Sequence, residues 1–221
     1  IKLCHKAKGL VWSGFLFPGT KSSKKKWDAW SEEDLAKLFA TDWWGPQADR
    51  ESAKYWVPLI ALHSGMRLEE ICRLRPQDVE KVGDIPCFNI REHPDGWLPT
   101  TESGERLAPV HSFLIERGLL DLVKERRKAG SERVFTDPPT GHDGKLGQAF
   151  GRGFGRLKTE LGIGPKTVLH SFRHTFRRHT FRTALESTDL PERWIDAVMG
   201  HEDPRRSEGA RTYAKGVEVE G

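Results

Sequence analysis

Four side chains suited to phosphoryl chemistry crowd the last quarter of this 221-residue chain, and a fifth stands far upstream. His170 and Arg173 lie three apart in LHSFRHTFRRH, a spacing that puts them on adjacent turns of one helix face. His201 ends WIDAVMGH, and Tyr213 follows in ARTYAKG, in a chain whose other tyrosine is Tyr55. Arg67 stands upstream in HSGMRLEEICRL. A guanidinium offers phosphate oxygens a planar, permanently charged fork. A phenol loses its proton only near pH ~10, so as a nucleophile it needs cations and imidazoles beside it. The same groups would stabilise the charge that develops on phosphorus. With no acidic metal cluster in company, the set points to phosphoryl transfer through a side-chain nucleophile, without metal or cofactor.

These motifs, in this order, resemble the catalytic domain of the tyrosine recombinases, the phage-integrase family. That family runs G-x-R-x-x-E, then H-x-x-R, then G-H, then a tyrosine near the C-terminus. Here they read HSGMRLEEICRL, HSFRHTF, MGH and RTY, and the resemblance covers roughly residues 30–215. It implies that Arg67 and Arg173 clamp the scissile phosphate. His170 then helps activate the nucleophile or stabilise the transition state, His201 supplies a catalytic hydrogen bond, and Tyr213 attacks. The product would be a 3′-phosphotyrosyl link that rejoins without ATP or metal. The implied fold is α+β, mainly helical with a small antiparallel sheet. The implied partners are double-stranded DNA and three further copies of the chain in a homo-tetramer, in a bacterial or phage-encoded setting at the nucleoid in the cytoplasm.

One family member is missing. Relatives carry a proton-donating lysine in a β-hairpin shortly before an R-x-V-P-like strand. The matching window, WLPTTESGERLAP, has no lysine, and its place falls at Pro99, Thr100 or Thr101. A threonine hydroxyl is no acid near neutral pH. Lys81, read here as lying in the turn before the sheet, is a weak substitute. The gap keeps open the reading of a DNA-binding relative with impaired catalysis; shared phosphotyrosyl chemistry keeps open a type IB topoisomerase-like nicking and closing activity.

The elements that must position these residues follow from periodicity and punctuation. Residues 1–29, with Pro18, Gly19 and the KSSKKK run, read as a linker or as a strap along DNA phosphates; residues 30–221 read as the catalytic domain, without the helical domain that precedes it in relatives. Ser31 caps a first helix with Leu35, Leu38 and Phe39 on its apolar face. TDWWGPQAD is a loop, and a second helix runs from about Ala53 to His63, with Pro58 arguing for a kink and Gly65 ending it. Arg67 leads a third helix to Leu74, and RPQDV turns the chain. Alternation in residues 87–93 and 105–111 predicts a small antiparallel sheet.

A single helix is expected over residues 112–128, its basic end (Lys124, Arg126, Arg127, Lys128) suiting the helix dipole. Residues 134–145 are a loop whose His142 and Asp143 face solvent rather than a metal. A helix from about Leu146 to Leu161 carries Phe150, Phe154 and Leu157 inward, with Arg152, Arg156 and Lys158 solvated or reaching a DNA backbone. From Ser171 a helix places Phe172, Phe176 and Thr180 on one side; His174 is the competing imidazole, read as a packing or hydrogen-bonding residue. Arg177, Arg178, His179 and Arg182 contact phosphates or solvent. Asp189 caps a further helix with Trp194 buried, and Gly200 closes it. Glu69 and Glu70 orient or cap rather than catalyse; the bland reading of Arg67 is a surface ion pair with Glu70.

Composition bounds the rest. A formal net charge of +4 is mildly basic, so clustering rather than total charge suggests nucleic acid. The scattered Cys4, Cys72 and Cys87 give no disulfide or zinc pattern and fit a reducing compartment. No apolar run reaches the roughly 18 residues of a membrane span. The initial isoleucine implies a piece of a longer protein.

Overall fold

The computed structural model describes residues 27–99, 104–138, 144–178 and 200. Helix α1 (Glu32–Phe39) starts where the Asp34 N–H donates to the Ser31 hydroxyl at 3.1 Å. Helix α2 (Ala53–Ser64) starts at Ser52 and stops at Gly65, whose φ of +64° is the left-handed turn a helix end commonly needs. Pro58 lies buried inside α2 without ending it. Helix α3 (Leu68–Cys72) is shorter than the pattern predicts: Arg67 is its extended N-cap rather than its first helical residue, at φ −76° and ψ 150°.

The sheet has three strands rather than the two expected: β1 (Val79–Val82), β2 (Ile85–Ile90) and β3 (Arg106–Pro109), antiparallel in that order. A two-residue turn with Gly83 at φ +59° joins β1 to β2. The stretch VEKV buries only its first residue well, too little alternation to read as a strand. Lys81 is therefore in an edge strand, paired with Pro86, and not in a turn.

The expected single helix over 112–128 is two helices, α4 (Ser112–Glu116) and α5 (Leu119–Lys128), broken at Gly118 with φ +91°. The basic end of α5 holds the fold together, as the structural reading has it, through more than its dipole. Arg127 donates to the carbonyls of Pro76 and Val79, and Arg126 to the Val134 carbonyl at 3.2 Å and to Glu51 at 2.8 Å. Residues 134–138 and 144–145 form no helix or strand, in keeping with the loop reading; His142 and Asp143 lie outside the described residues.

Helix α6 (Gly147–Glu160) buries Phe150 and Phe154 as its period predicts. Lys158 departs from expectation. It is buried, and its ammonium donates to the carbonyls of Ile163 (3.3 Å) and Gly164 (2.8 Å), so it closes the helix instead of reaching outward. Among the described residues a last helix covers residues 171–178, with Phe172 and Phe176 buried; Thr180 lies outside them. Trp30 locks this helix against α6. Its ring stacks on Phe172 at 4.7 Å and meets Phe154 edge-on at 5.9 Å, and its backbone N–H donates to Thr175 Oγ1 at 2.8 Å.

Glu69 fastens α6 to α3. Its carboxylate accepts the Leu146 and Gly147 N–H groups at 3.0 and 2.8 Å, at the positive end of the helix. The fit leaves no room at Gly147, where a Cβ would lie 2.8 Å from Leu68 Cγ and 2.9 Å from Glu69 Oε2. Gly147→Ala adds at most about 1 kcal/mol of helix propensity. The forced shift costs about 1–3 kcal/mol. The expected net result is a lower melting temperature, read by calorimetry; a rise would show that the α3–α6 contact yields.

Candidate active site

The site begins at the α2–α3 connection. Gly65 turns the chain, and Arg67 follows as the N-cap of α3. The Arg67 N–H donates to Glu70 Oε2 at 2.8 Å and its Nη1 to Oε1 at 2.9 Å. This is not the surface pair of the bland reading, because the Glu70 side chain is 2% exposed. A second arginine shares the carboxylate. Arg106, on β3, donates from Nη1 to Oε1 at 3.1 Å and from Nη2 to Oε2 at 2.8 Å, and also to the Gly104 carbonyl at 2.8 Å. Burial alone would raise Glu70, but the Arg106 and Arg67 bonds outweigh it and hold its carboxyl below the ordinary range.

Arg173 comes in from the helix over residues 171–178. It is 4% exposed, and its Nη1 donates to the Gly65 carbonyl at 2.6 Å. Burial, then the neighbouring Arg67 and Arg106 charges, pulls its guanidinium below the usual range, still charged at neutral pH. Among the described residues, Arg67, Arg106 and Arg173 gather around Glu70, three positive groups to one negative. The surplus is an electrostatic socket for an anion.

His170 is exposed in the turn before this helix rather than within it, and its carbonyl accepts the Arg173 N–H at 3.1 Å. Burial of part of the ring, then His174, Arg173 and Arg67, push its imidazole down. The His174 ring stands edge-on to it, 5.2 Å away at 83°. The MGH motif reaches the cluster through Gly200, whose carbonyl accepts from Arg67 Nη2 at 3.4 Å. The structure thus brings Arg67, Arg173, His170 and the residue before His201 together. His201 and Tyr213 themselves lie outside the described residues, as do Thr100, Thr101, Arg182, Asp189 and Trp194.

Arg106 is the residue that sequence reasoning missed. Its signal was parity: Ala108 and Val110 face the core, so Arg106 faces it too, while Leu107 is turned out at 37% exposure. Lys81 is excluded from the cluster by register. It pairs with Pro86, whereas Arg106 pairs with Ile90, on the far side of β2. Two strand spacings across and four residues along put the two roughly 17 Å apart.

Cys72 and Cys87 are free and buried, with both thiols pushed up by burial. Among the described residues no group of three or more His, Cys, Asp or Glu side chains is placed to hold a metal ion, and no helix is long and apolar enough to cross a membrane.

A family model described as "Phage integrase family" matches residues 47–214. Solved structures share the fold at low identity. The Tn1549 transposon integrase in complex with transposon right end DNA is 18% identical, with a TM-score of 0.56 over 93% of this chain and 69% of that one. The same integrase in complex with circular intermediate DNA is 17% identical, with a TM-score of 0.54 over 85% and 66%. The XerH site-specific recombinase in a post-cleavage complex on palindromic difH substrate is 17% identical, with a TM-score of 0.53 over 87% and 53%. The chain thus spans about two thirds of the integrase chains and about half of the XerH chain. No curated protein matches it.

Proposed function

The chain belongs to the phage integrase family of site-specific DNA recombinases, and we propose that Tyr213 is the nucleophile with which it cuts and rejoins DNA. Its phenol attacks the scissile phosphodiester, leaving a 3′-phosphotyrosyl link and a free 5′-hydroxyl. Arg67 and Arg173 hold the non-bridging oxygens. His170 takes the Tyr213 proton, and His201 hydrogen-bonds to the same phosphate. The link conserves the phosphodiester's energy, so rejoining needs neither ATP nor metal. The substrate is double-stranded DNA, and the working assembly is a homo-tetramer that holds two sites at once.

The observation that carries this reading is the convergence of Arg67 and Arg173, 106 residues apart in sequence, around Gly65 and the buried Glu70. Preorganised charges of this kind cost no reorganisation when the pentavalent state forms. The missing hairpin lysine supports a second reading, a DNA-binding relative with impaired chemistry.

Covalent capture separates the two. Nicked duplexes of randomised sequence, incubated with the protein and denatured, should yield a DNA adduct that is lost in Tyr213→Phe. Recovery of bound DNA with no adduct from the unsubstituted protein would sink the enzyme reading and favour the binding one.

A further inference from the structure

We propose that Arg106 is a positioning residue for the phosphate clamp: by gripping both oxygens of Glu70 it fixes the pose of Arg67 and keeps the Arg67 charge free for DNA. The inference rests on the reading of Arg67 as a phosphate ligand given above, and adds a residue that acts on it without touching DNA. Arg106 reaches this place by register. It opens β3 opposite Ile90, and strand alternation turns it to the core side with Ala108.

The bonds of Arg106 show which way it works. Its Nη1 and Nη2 sit on separate Glu70 oxygens at 3.1 and 2.8 Å, a two-pronged contact that sets the plane of the carboxylate. Nη1 also donates to the Gly104 carbonyl at 2.8 Å, which holds the guanidinium itself. At 4% exposure the side chain has almost no surface to offer a DNA strand. A guanidinium also stays protonated, so Arg106 supplies neither a phosphate contact nor a proton.

Arg67 is the opposite case. Its side chain is 23% exposed and hangs from an extended N-cap residue rather than from the body of a helix. Glu70 holds it at two points, the backbone N–H on Oε2 at 2.8 Å and Nη1 on Oε1 at 2.9 Å, and a longer bond of 3.4 Å runs from Nη2 to the Gly200 carbonyl. Each Glu70 oxygen thus accepts one bond from each arginine, which fills the roughly four acceptor sites of a carboxylate. So loaded, the carboxylate cannot turn without breaking bonds to both. Without Arg106 it can rotate, and its whole negative charge falls on Arg67, in direct competition with phosphate oxygens for one guanidinium. The positive surplus of the socket would fall from two charges to one.

The test is single-turnover adduct formation on a nicked duplex of a captured sequence, at saturating duplex and below the melting temperature of every variant. Arg106→Met should slow it by about 10²-fold, the scale of a misplacement of about 1 Å in a reacting site. Affinity for the same duplex, measured with Tyr213→Phe also present so that nothing is cut, should stay nearly unchanged. Arg106→Lys keeps the charge and spares the fold where Arg106→Met is too damaging, but an ammonium is no fork, so it should stay slow as well. The decisive step repeats each Arg106 variant in two backgrounds. With Arg67→Lys it should add little further loss, because the guanidinium it positions is gone. With Arg173→Lys it should keep its full effect, because Arg173 is anchored at the Gly65 carbonyl. Equal losses in both backgrounds would make Arg106 a general strut. A loss of affinity instead of rate would make it a DNA ligand, and full speed in Arg106→Lys would leave only its charge. Each of these overturns the assignment while leaving Tyr213 as nucleophile. No adduct from the unsubstituted protein would remove both readings together.

Discussion

Glu70→Gln is expected to be the most destabilising single change in the catalytic region. The side chain keeps its shape, but the carboxylate that neutralises Arg67 and Arg106 is gone, and one of its two oxygens becomes a donor facing a donor. The Arg106 and Glu70 side chains are 4% and 2% exposed, so the unpaired charge has little water to turn to. Breaking such a buried pair costs about 3–5 kcal/mol. In a chain of this size that is a fall in melting temperature of roughly 6–20 °C. Calorimetry or thermal circular dichroism checks it; a shift below about 2 °C would mean that the pair contributes no net stability.

Acid should imitate the substitution. The folded carboxyl of Glu70 lies below its ordinary value, which is the depressed case. Its stabilisation is complete above the ordinary carboxylate range and drains away as pH falls through the lower, folded value. Asp78, buried but held below its ordinary value by His93, Arg75 and Arg91, adds to the same loss. Stability should therefore be flat near neutrality and fall on acidification below the carboxylate range, with the fall from Glu70 absent in Glu70→Gln.

Arg173→Met should do the reverse: large loss of chemistry, little change in stability. On the proposed mechanism the substitution removes a donor to the phosphate, an effect of about 10²–10³-fold or more on cleavage. For folding, two terms oppose. Leaving the buried Gly65 carbonyl without its Arg173 bond costs about 1–3 kcal/mol. Against this, a guanidinium that burial and two neighbouring arginines already destabilise is taken away. Single-turnover adduct formation beside a melting curve checks both halves. A protein that melts far lower would show that Arg173 is chiefly a structural strut between α2 and the final helix; unchanged cleavage would remove it from the clamp.

The contrast between the two variants reflects how such a site is held. Glu70 is a stabilising hub that sets where Arg67 and Arg106 point. Arg173 is carried at a cost in self-repulsion that bound phosphate would relieve. Folding demands the first; on the proposed mechanism, binding phosphate rewards the second.

Much of this was legible beforehand because it depends on local chemistry. Ser31 and Gly65 punctuate helices by hydrogen bonding and backbone freedom within a few residues. Phe150 and Phe154 on α6, and Phe172 and Phe176 on the last helix, reveal buried faces by their period. What escaped was either too short to carry a period or settled across space. Strand β1 has four residues, and Gly118 splits a helix whose apolar spacing runs on regardless. Lys158 looks like any surface lysine until the carbonyls of Ile163 and Gly164 fold over it.

For the proposed catalytic set, the sequence by itself determined residue types, order and family, because the arginine, histidine and tyrosine motifs recur at readable spacings. It also placed no lysine in the window WLPTTESGERLAP. Only the tertiary structure decided which residues share a charge: Glu70 binds an arginine three positions away and another 36 positions away on β3. The physical reason is that a socket for phosphate is a sum of fields over distances of a few ångströms. Sequence separation does not enter that sum, so Arg106 joined the cluster and Lys81 left it only once the strands were in register.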